Sequence, residues 1–168
     1  MEAGRATPAG VAQQGFAMIP PAGVLGWLPP SQWWTVKDFY GYSANFLPLA
    51  AGATETQNIS IQADTDFIIM YATAIVTAVD NTTPLAFAPA LIELRDASTG
   101  ATMTQLPVHL EALFGDGSFP GIFAVPKFVR ANGAIAVTLQ NLEAFNRNYR
   151  INLFGYRSIP GSDIRRAR

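Results

Sequence analysis

The stretch TDFIIMYATAIVTAV, residues 65–79, is the most apolar continuous part of this 168-residue sequence. It is rich in β-branched and aromatic side chains, which are stiff at χ1 and pack well on a pleated surface, so it predicts a strand rather than a helix. It is shorter than the roughly 18 apolar residues that indicate a membrane span. Asp64 and Asp66 bound it on one side, and Asp80 and Asn81 on the other, as turn-forming residues. We expect a long central strand with no catalytic group in it.

The segments around this strand also have β patterns. Residues 134–142 alternate cleanly, with Ile135, Val137 and Leu139 on one face, and residues 148–156 alternate again. Other predicted features are strands at 38–49, 53–62, 91–94 and 101–106, a turn at 96–100 and a long irregular piece at 107–126. No segment has a convincing helical period. Seven or eight strands at this spacing predict an all-β fold, an antiparallel β-sandwich or jelly roll.

Residues 1–36 are predicted to be an extended N-terminal arm outside the compact domain. They are rich in Gly and Ala, and their five prolines disfavour helix and central strand. All three tryptophans of the protein lie in GWLPPSQWW (26–34), and large rings dominate interface hot spots. We favour docking of this arm on another molecule over an arm that folds back on its own subunit. The β domain is then 37–157, followed by a short basic C-terminal tail, 158–168.

Composition favours a protein that is packed against others. Hydrophobic residues make up 49% and charged residues only 14%, against about a quarter in typical soluble domains. Such a chain leaves much apolar surface outside unless copies or a larger assembly cover it. Residues 38–126 carry nine acidic residues against Arg95 alone, whereas residues 127–168 carry Lys127 and seven arginines against two acidic residues. This asymmetry is either charge spread over solvated faces or complementarity between copies or with a partner.

The sequence shows no constellation that favours an enzyme, a cofactor or a metal site. It has no cysteine, and its single histidine, His109, has no evident serine and aspartate partners. Glu93 and Glu111 are a conceivable acid–base pair, but Glu93 alternates outward as an ordinary polar strand position does. The segment GDGS (115–118) lacks the spaced ligands of a calcium loop and predicts a turn.

Binding to nucleic acid or membrane is also not expected. The pI is about 5.7, and the three arginines of the tail are too few for the broad basic footprint of a nucleic-acid-binding protein. No basic amphipathic helix indicates a membrane surface. The start MEAGRATPAG has no apolar segment of a secretory signal.

Three segments in the second half of the chain carry a family resemblance. They are LIELRDASTGATMT (91–104), PVHLEALFGDGSFPGIFAVPKFVRANGAIAVTLQNL (107–142) and NYRINLFGYR (148–157). The pattern of an Asp-x-x-x-Gly turn, a Phe-Gly loop closing on proline and a last strand ending in Phe-Gly-Tyr resembles structural proteins of tailed-bacteriophage virions, in particular small head decoration or cement proteins. The resemblance implies a β-sandwich or jelly-roll subunit, often a homotrimer, that clamps neighbouring major capsid proteins and has no catalytic residues.

The expected function is that of a non-enzymatic protein on the outer capsid surface of a virion, made in the host cytoplasm, that cements the capsid through its β domain and arm. The expected partners are the major capsid protein and further copies of the chain. Candidate interface residues are apolar side chains of the arm and arginines near the C-terminus: Phe16, Trp27, Trp33, Trp34, Arg150, Arg165, Arg166 and Arg168.

Three alternatives stay open at this point. The chain could be a neck, collar or tail component of the virion, because the arm suits those positions equally well. It could be a carbohydrate- or receptor-binding β-sandwich, which would need exposed aromatic rings on a rigid sheet face with convergent Asp, Asn or Glu. A plain soluble domain with a self-covering arm would be a monomer.

Overall fold

The structure, a computed structural model, describes residues 36–80, 85, 88–104, 106–114 and 120–159. Of the predicted arm and tail it therefore describes Val36 and residues 158–159. The described residues form eight strands and one short helix, in the order β1 (Val36–Leu49), β2 (Thr54–Ser60), β3 (Asp66–Thr77), β4 (Ala90–Asp96), β5 (Val108–His109), α1 (Leu110–Phe114), β6 (Gly121–Val129), β7 (Ala134–Asn141) and β8 (Arg147–Ser158). Within these residues no helix has the length and apolar character needed to cross a membrane.

The strands form two four-stranded antiparallel sheets, in the orders β1-β8-β3-β6 and β2-β7-β4-β5. β1 pairs with β8, β2 with β7, β3 with β6 and β4 with β5, so the chain is one long antiparallel strip that is folded over on itself. Pairing of β3 with β8 and of β4 with β7 closes this strip into two sheets. Eight strands wrapped in this way form a jelly-roll sandwich. The predicted fold class is confirmed.

The core is a layer of side chains between the two sheets. On β7, Ile135, Val137 and Leu139 are fully buried because every second residue of a strand points to the same face. β3 departs from this alternation over residues 66–70, all of which are buried, and its pairing register with β8 shifts at Met70. The predicted central strand is therefore correct, and it is buried on both faces in its first half. The other largest fully buried side chains include Phe46, Leu49, Phe67, Ile92, Leu94, Phe114 and Tyr149.

Asn141, the last residue of β7, connects three parts of the chain through its buried side chain. Its amide Nδ2 donates to the carbonyls of residues 49–50 in the β1–β2 turn, at 3.3 and 3.2 Å, and to the Phe145 carbonyl at 2.8 Å. Its Oδ1 accepts from the Glu143 backbone N–H and from the Tyr149 hydroxyl, each at 3.0 Å. A buried carboxamide with all its groups bonded holds two loops and β8 in fixed positions.

The side chain of Gln57 covers part of the exposed edge of β1. The Asn45 backbone N–H donates to Gln57 Oε1 at 3.0 Å, and Gln57 Nε2 donates to the Asn45 carbonyl. β1 and β2 are edge strands of opposite sheets, so this carboxamide joins the two sheets and occupies backbone groups that would otherwise be open to pairing.

The prediction of a strand over 101–106 is wrong. A single bridge, Arg95 with Thr102, continues the turn after β4. The Thr104 hydroxyl accepts the Leu94 backbone N–H at 3.1 Å, so a side chain takes the place of the next ladder partner. The chain then pairs with β4 only at β5, through Val108 and His109.

The prediction of an irregular piece over 107–126 is also wrong for most of its described residues. Residues 107–126 contain β5, α1 and the first two-thirds of β6, and His109 lies in β5. α1 has only five residues, so no helical period could be read from the sequence. Its Leu110 and Phe114, four positions apart, share one helix face and are buried in the core.

We predict that Tyr149→Phe lowers the free energy of unfolding by about 1 kcal/mol at pH 7, because the hydroxyl bond to Asn141 Oδ1 is lost while the Glu143 N–H still satisfies that oxygen. Burial, reinforced by Glu143, raises the pKa of the Tyr149 phenol from 10.0 to about 12. A raised phenol pKa contributes stability that is fully present below pH 10 and is lost as the pH rises towards 12. The Tyr149→Phe variant has no phenol at this position, so it does not lose stability in this way.

The deficit of the variant should therefore shrink to near zero at about pH 11, as measured by urea unfolding of both proteins at pH 7 and pH 11. Other tyrosines titrate equally in the two proteins and cancel in the difference. A deficit that stays constant over this pH range would contradict the assignment of the raised pKa to Tyr149.

Candidate interaction surface

The outer face of the first sheet carries the side chains that do not enter the core. On β8 these are alternate residues from Arg150 to Tyr156, because the residues between them face the second sheet. The antiparallel register pairs each of them with an outward residue of β1: Tyr156 with Phe39, Phe154 with Gly41, Asn152 with Ser43 and Arg150 with Asn45. On the other side of β8, Tyr71 of β3 pairs with Phe154.

Four rings from β1, β3 and β8 form a cluster at one end of this face, which we name the aromatic patch: Phe39, Tyr71, Phe154 and Tyr156. The Phe39 and Phe154 rings are nearly parallel, with centroids 6.2 Å apart, and the Tyr71 ring lies 5.2 Å from Phe154 and 5.8 Å from Phe39. Tyr156 meets Phe39 edge-on at 5.5 Å. These are favourable separations for aromatic pairs, so the rings hold one another in a defined arrangement.

Two glycines make room for this arrangement. A Cβ on Gly41 would lie 2.8 Å from two ring atoms of Phe154, so the ring covers a strand position that has no side chain. A Cβ on Gly155 would lie 1.8 Å from the Ile68 carbonyl oxygen. The close approach of β8 to β3, next to the register shift at Met70, therefore requires glycine.

The aromatic patch is apolar, uncharged and open to solvent. Phe39 is 44% exposed, and the other three rings are half-buried. Ile122 of β6, the partner of Tyr71, is 79% exposed and extends the apolar surface to the sheet edge. Burial raises the pKa of Tyr71, and burial together with Tyr71 raises the pKa of Tyr156, so both phenols are neutral at pH 7. Exposed apolar surface on a sheet face is a feature of many interaction sites, so this patch is the candidate interaction surface.

Next to the aromatic patch the same face is polar. The Ser43 hydroxyl donates to Asn152 Oδ1 at 2.7 Å, and Asn152 Nδ2 donates to Thr73 Oγ1 at 3.1 Å, which forms a row across three strands. One step further along β8, Arg150 Nε donates to Asn45 Oδ1 at 2.9 Å. This bond holds the exposed Arg150 side chain against β1 and uses one of its five guanidinium donors.

Arg150 is the one predicted interface residue among the described residues. It lies on the same outer face as the aromatic patch, four residues from Phe154, or about 14 Å along the strand. The other predicted interface residues, Phe16, Trp27, Trp33, Trp34, Arg165, Arg166 and Arg168, lie outside the described residues.

Charges that are far apart in the sequence meet at the start of β1. Arg157 Nε donates to Asp38 Oδ1 at 2.7 Å, a second guanidinium nitrogen bonds the other carboxylate oxygen, and a third bonds Gln62 Oε1. The guanidinium also lies 4.2 Å from the Tyr40 ring centroid. The hydrogen bond from Arg157 lowers the pKa of Asp38, although partial burial acts in the opposite direction. Part of the charge asymmetry is thus neutralised within the chain itself.

An apolar cavity of about 370 Å³ lies between α1, β5 and β6, away from the outer face. Its described lining is mostly aliphatic and aromatic, with one threonine and one lysine: Met103, Thr104, Val108, Ala112, Leu113, Phe123, Ala124, Val125 and Lys127. This described lining contains no carboxylate and no histidine.

The groups considered for catalysis lie apart from the aromatic patch. His109 is exposed in β5, Glu93 accepts from Arg95 Nε at 2.6 Å, and Glu111 is exposed in the first turn of α1. The predicted turn at 115–118 lies outside the described residues. Within the part of the chain that the structure describes, no three His, Asp, Glu or Cys side chains are grouped to hold a metal ion.

The aromatic patch is not among the features predicted from the sequence. Its residues are 32 to 117 positions apart from Phe39 in the chain, so nothing in the linear order brings them together. A signal was present in DFYGY (38–42) and LFGY (153–156), where an aromatic residue stands on the polar face of an alternating strand next to a glycine.

Comparisons with known proteins give no further guide. No protein-family model, no curated protein and no solved structure matches this chain.

We predict that Gly155→Ala lowers the free energy of unfolding by at least about 2 kcal/mol, because the added methyl group meets backbone that cannot move without breaking the β3–β8 ladder. Gly41→Ala, the matched control, meets only the edge of the Phe154 ring and should cost less than about 1 kcal/mol. Urea unfolding measures both values. In Gly41→Ala the NMR shifts of the Phe154 ring should change, and equal stability losses in the two variants would contradict this description.

Proposed function

We propose that this protein is a non-enzymatic structural component of a tailed-bacteriophage virion that decorates the outer capsid surface and cements neighbouring major capsid proteins. The observation that carries the proposal is the outer face of the first sheet, with an exposed apolar aromatic patch at one end and Arg150 at the other. The jelly roll is among the folds of viral capsid domains, and the sequence resemblance points to the same class.

The physical properties of this face suit a protein that works by being covered. Its rings are fixed by one another and its strands by the sheet, so little side-chain freedom is lost when a partner binds. Each apolar Å² removed from water contributes about 25 cal/mol before the costs of association. Many copies on one particle turn such modest contacts into large mechanical stability.

The polar half of the face orients the protein on the capsid. Asn45 holds Arg150 against β1, so its guanidinium is presented to a carboxylate of the capsid in one geometry. The partners in this proposal are the major capsid protein and further copies of the chain in a homotrimer, with synthesis in the host cytoplasm before assembly on the virion.

The test uses purified virions of the phage that encodes this chain. Quantitative mass spectrometry should find the protein in a fixed ratio to the major capsid protein, and capsids that lack it should bind the purified protein during sedimentation. Absence from virions would reject the proposal. A few copies per particle, seen by electron microscopy at the neck, collar or tail, would replace the capsid position with that alternative.

We predict that Arg150→Ala weakens binding to such capsids by about tenfold, or about 1.4 kcal/mol, because a pre-oriented charge at the interface is lost. Arg130→Ala is the matched control, since Arg130 is also exposed but follows the last residue of β6. Cosedimentation at increasing salt measures both. If the two variants bind equally well, Arg150 does not contact the capsid.

One observation favours a second candidate, a carbohydrate- or receptor-binding module. The aromatic patch places exposed rings on a rigid sheet, and Asn45 and Asn152 lie on the same face. This is the arrangement that a sugar-binding site needs. The amide groups of Asn152 are, however, already bonded to Ser43 and Thr73, which leaves few free donors for sugar hydroxyls.

A glycan array with the full chain decides between the two functions. On the cement proposal no glycan binds above background. Specific binding that is lost in Phe39→Ala and kept in Phe145→Ala, another exposed phenylalanine, would establish the carbohydrate function instead.

A further inference from the structure

We infer that the aromatic patch is the docking site for residues 26–34 of a second copy of this chain. The inference deepens the proposed function, on which it rests for the assembly that it serves. It assigns the apolar end of the outer face to contacts between copies and leaves Arg150 and its polar surroundings to the capsid.

Residues 1–35 join the domain close to the aromatic patch. Val36 begins β1 and pairs with Ser158, the last residue of β8. Phe39 follows three residues later, about 10 Å along the strand. Residues 1–35 therefore enter the domain at the same end of the sheet where the aromatic patch lies, and on the edge strand of that sheet.

Residues 26–34 and the aromatic patch are chemically complementary. Residues 26–34, GWLPPSQWW, carry three tryptophans and two adjacent prolines but no charge. Aromatic-lined surfaces bind proline-rich segments, because proline is already held in an extended conformation and loses little entropy on docking. The aromatic patch and Ile122 are uncharged as well, so burying the two surfaces together leaves no charge without a partner.

The residues between the prolines and β1 favour a second copy over the subunit's own arm. Residues 32–35, QWWT, contain no Gly, Pro, Asn, Asp or Ser for a tight reversal. Tryptophan and threonine favour extended backbone, so the sequence favours continuing β1 outward, away from the aromatic patch of its own subunit. Ten extended residues, 26–35, reach about 33 Å, roughly the width of a small domain, which is enough to meet a neighbour.

An arm that docks on the next copy forms a head-to-tail interface. Such an interface joins one surface to a different surface, so it closes into a ring when the rotation between copies permits. A closed trimer of this type would place three arms and three aromatic patches in equivalent contacts, with no patch left open.

The chain offers a specific probe for this inference, because all its tryptophans lie in residues 27–34. Tryptophan emission therefore reports on the arm alone. In the full-length protein we expect an oligomer by light scattering and blue-shifted emission. In Phe39→Glu the mass should fall to that of one chain, 18.1 kDa, and the emission should shift to the red. Phe145→Glu, the same change at a 65% exposed ring next to the start of β8, should alter neither.

A mixing experiment separates docking from misfolding. The triple variant Trp27→Ala, Trp33→Ala and Trp34→Ala keeps the aromatic patch but loses the arm's rings, whereas Phe39→Glu keeps the arm but loses the patch. Each should be monomeric alone, and together they should form a one-to-one dimer. Because the triple variant has no tryptophan, a blue shift on mixing comes from the Phe39→Glu arm on the other chain.

Three results would overturn the inference: a full-length monomer, an oligomer that survives Phe39→Glu, or variants that do not associate on mixing. A monomer whose emission is blue-shifted, and shifts to the red in Phe39→Glu, would show that the arm covers its own subunit. These experiments use the purified protein without capsid. A result that overturns the docking of the arm therefore does not decide whether Arg150 contacts the capsid or whether the protein is present in virions.

Discussion

β8 lies between β1 and β3, and the antiparallel register that it keeps with both strands decides which side chains are inside the domain. Side chains alternate with a period of two, so a slip of one residue would send Tyr149 to solvent and Arg150 into the core. Two features hold the register: the Tyr149 hydroxyl bonds Asn141, and Gly155 admits the β3 backbone. The same register that builds the core therefore also sets Phe154 beside Tyr71 on the outside.

The outer face of the first sheet is held rigid by side-chain hydrogen bonds as well as by this register. Asn141 fixes the turn and loop at one end of the first sheet, and Gln57 fastens the edge of β1 to the second sheet. The aromatic patch stands at the other end, beside the Arg157–Asp38 ion pair. A surface that is fixed in advance loses little freedom on association, which suits the proposed role in an assembly of many identical copies.

Much of the fold was predictable because its strands are long and strongly patterned. Residues 134–142 and 148–156 alternate so regularly that both strands and their buried faces follow from the sequence. The wrong predictions concern residues 101–106 and 107–126. In the first, the Thr104 hydroxyl takes the place of a backbone ladder partner, and in the second, α1 has only five residues and shows no helical period. Of the residues on the candidate surface, only Arg150 was predicted from the sequence, because a charged residue at an outward position of an alternating strand can be recognised within that strand alone.

The sequence by itself determined the all-β class, the inner faces of the principal strands and the location of every tryptophan in one proline-rich stretch, because these depend on composition and on side-chain period within single segments. Only the tertiary structure decided that Phe39, Tyr71, Phe154 and Tyr156 form one surface, because their proximity comes from the pairing of β1, β8 and β3. It likewise decided that Arg157 neutralises Asp38. Pairing between strands far apart in the chain is set by the whole packed core, so no local pattern encodes it.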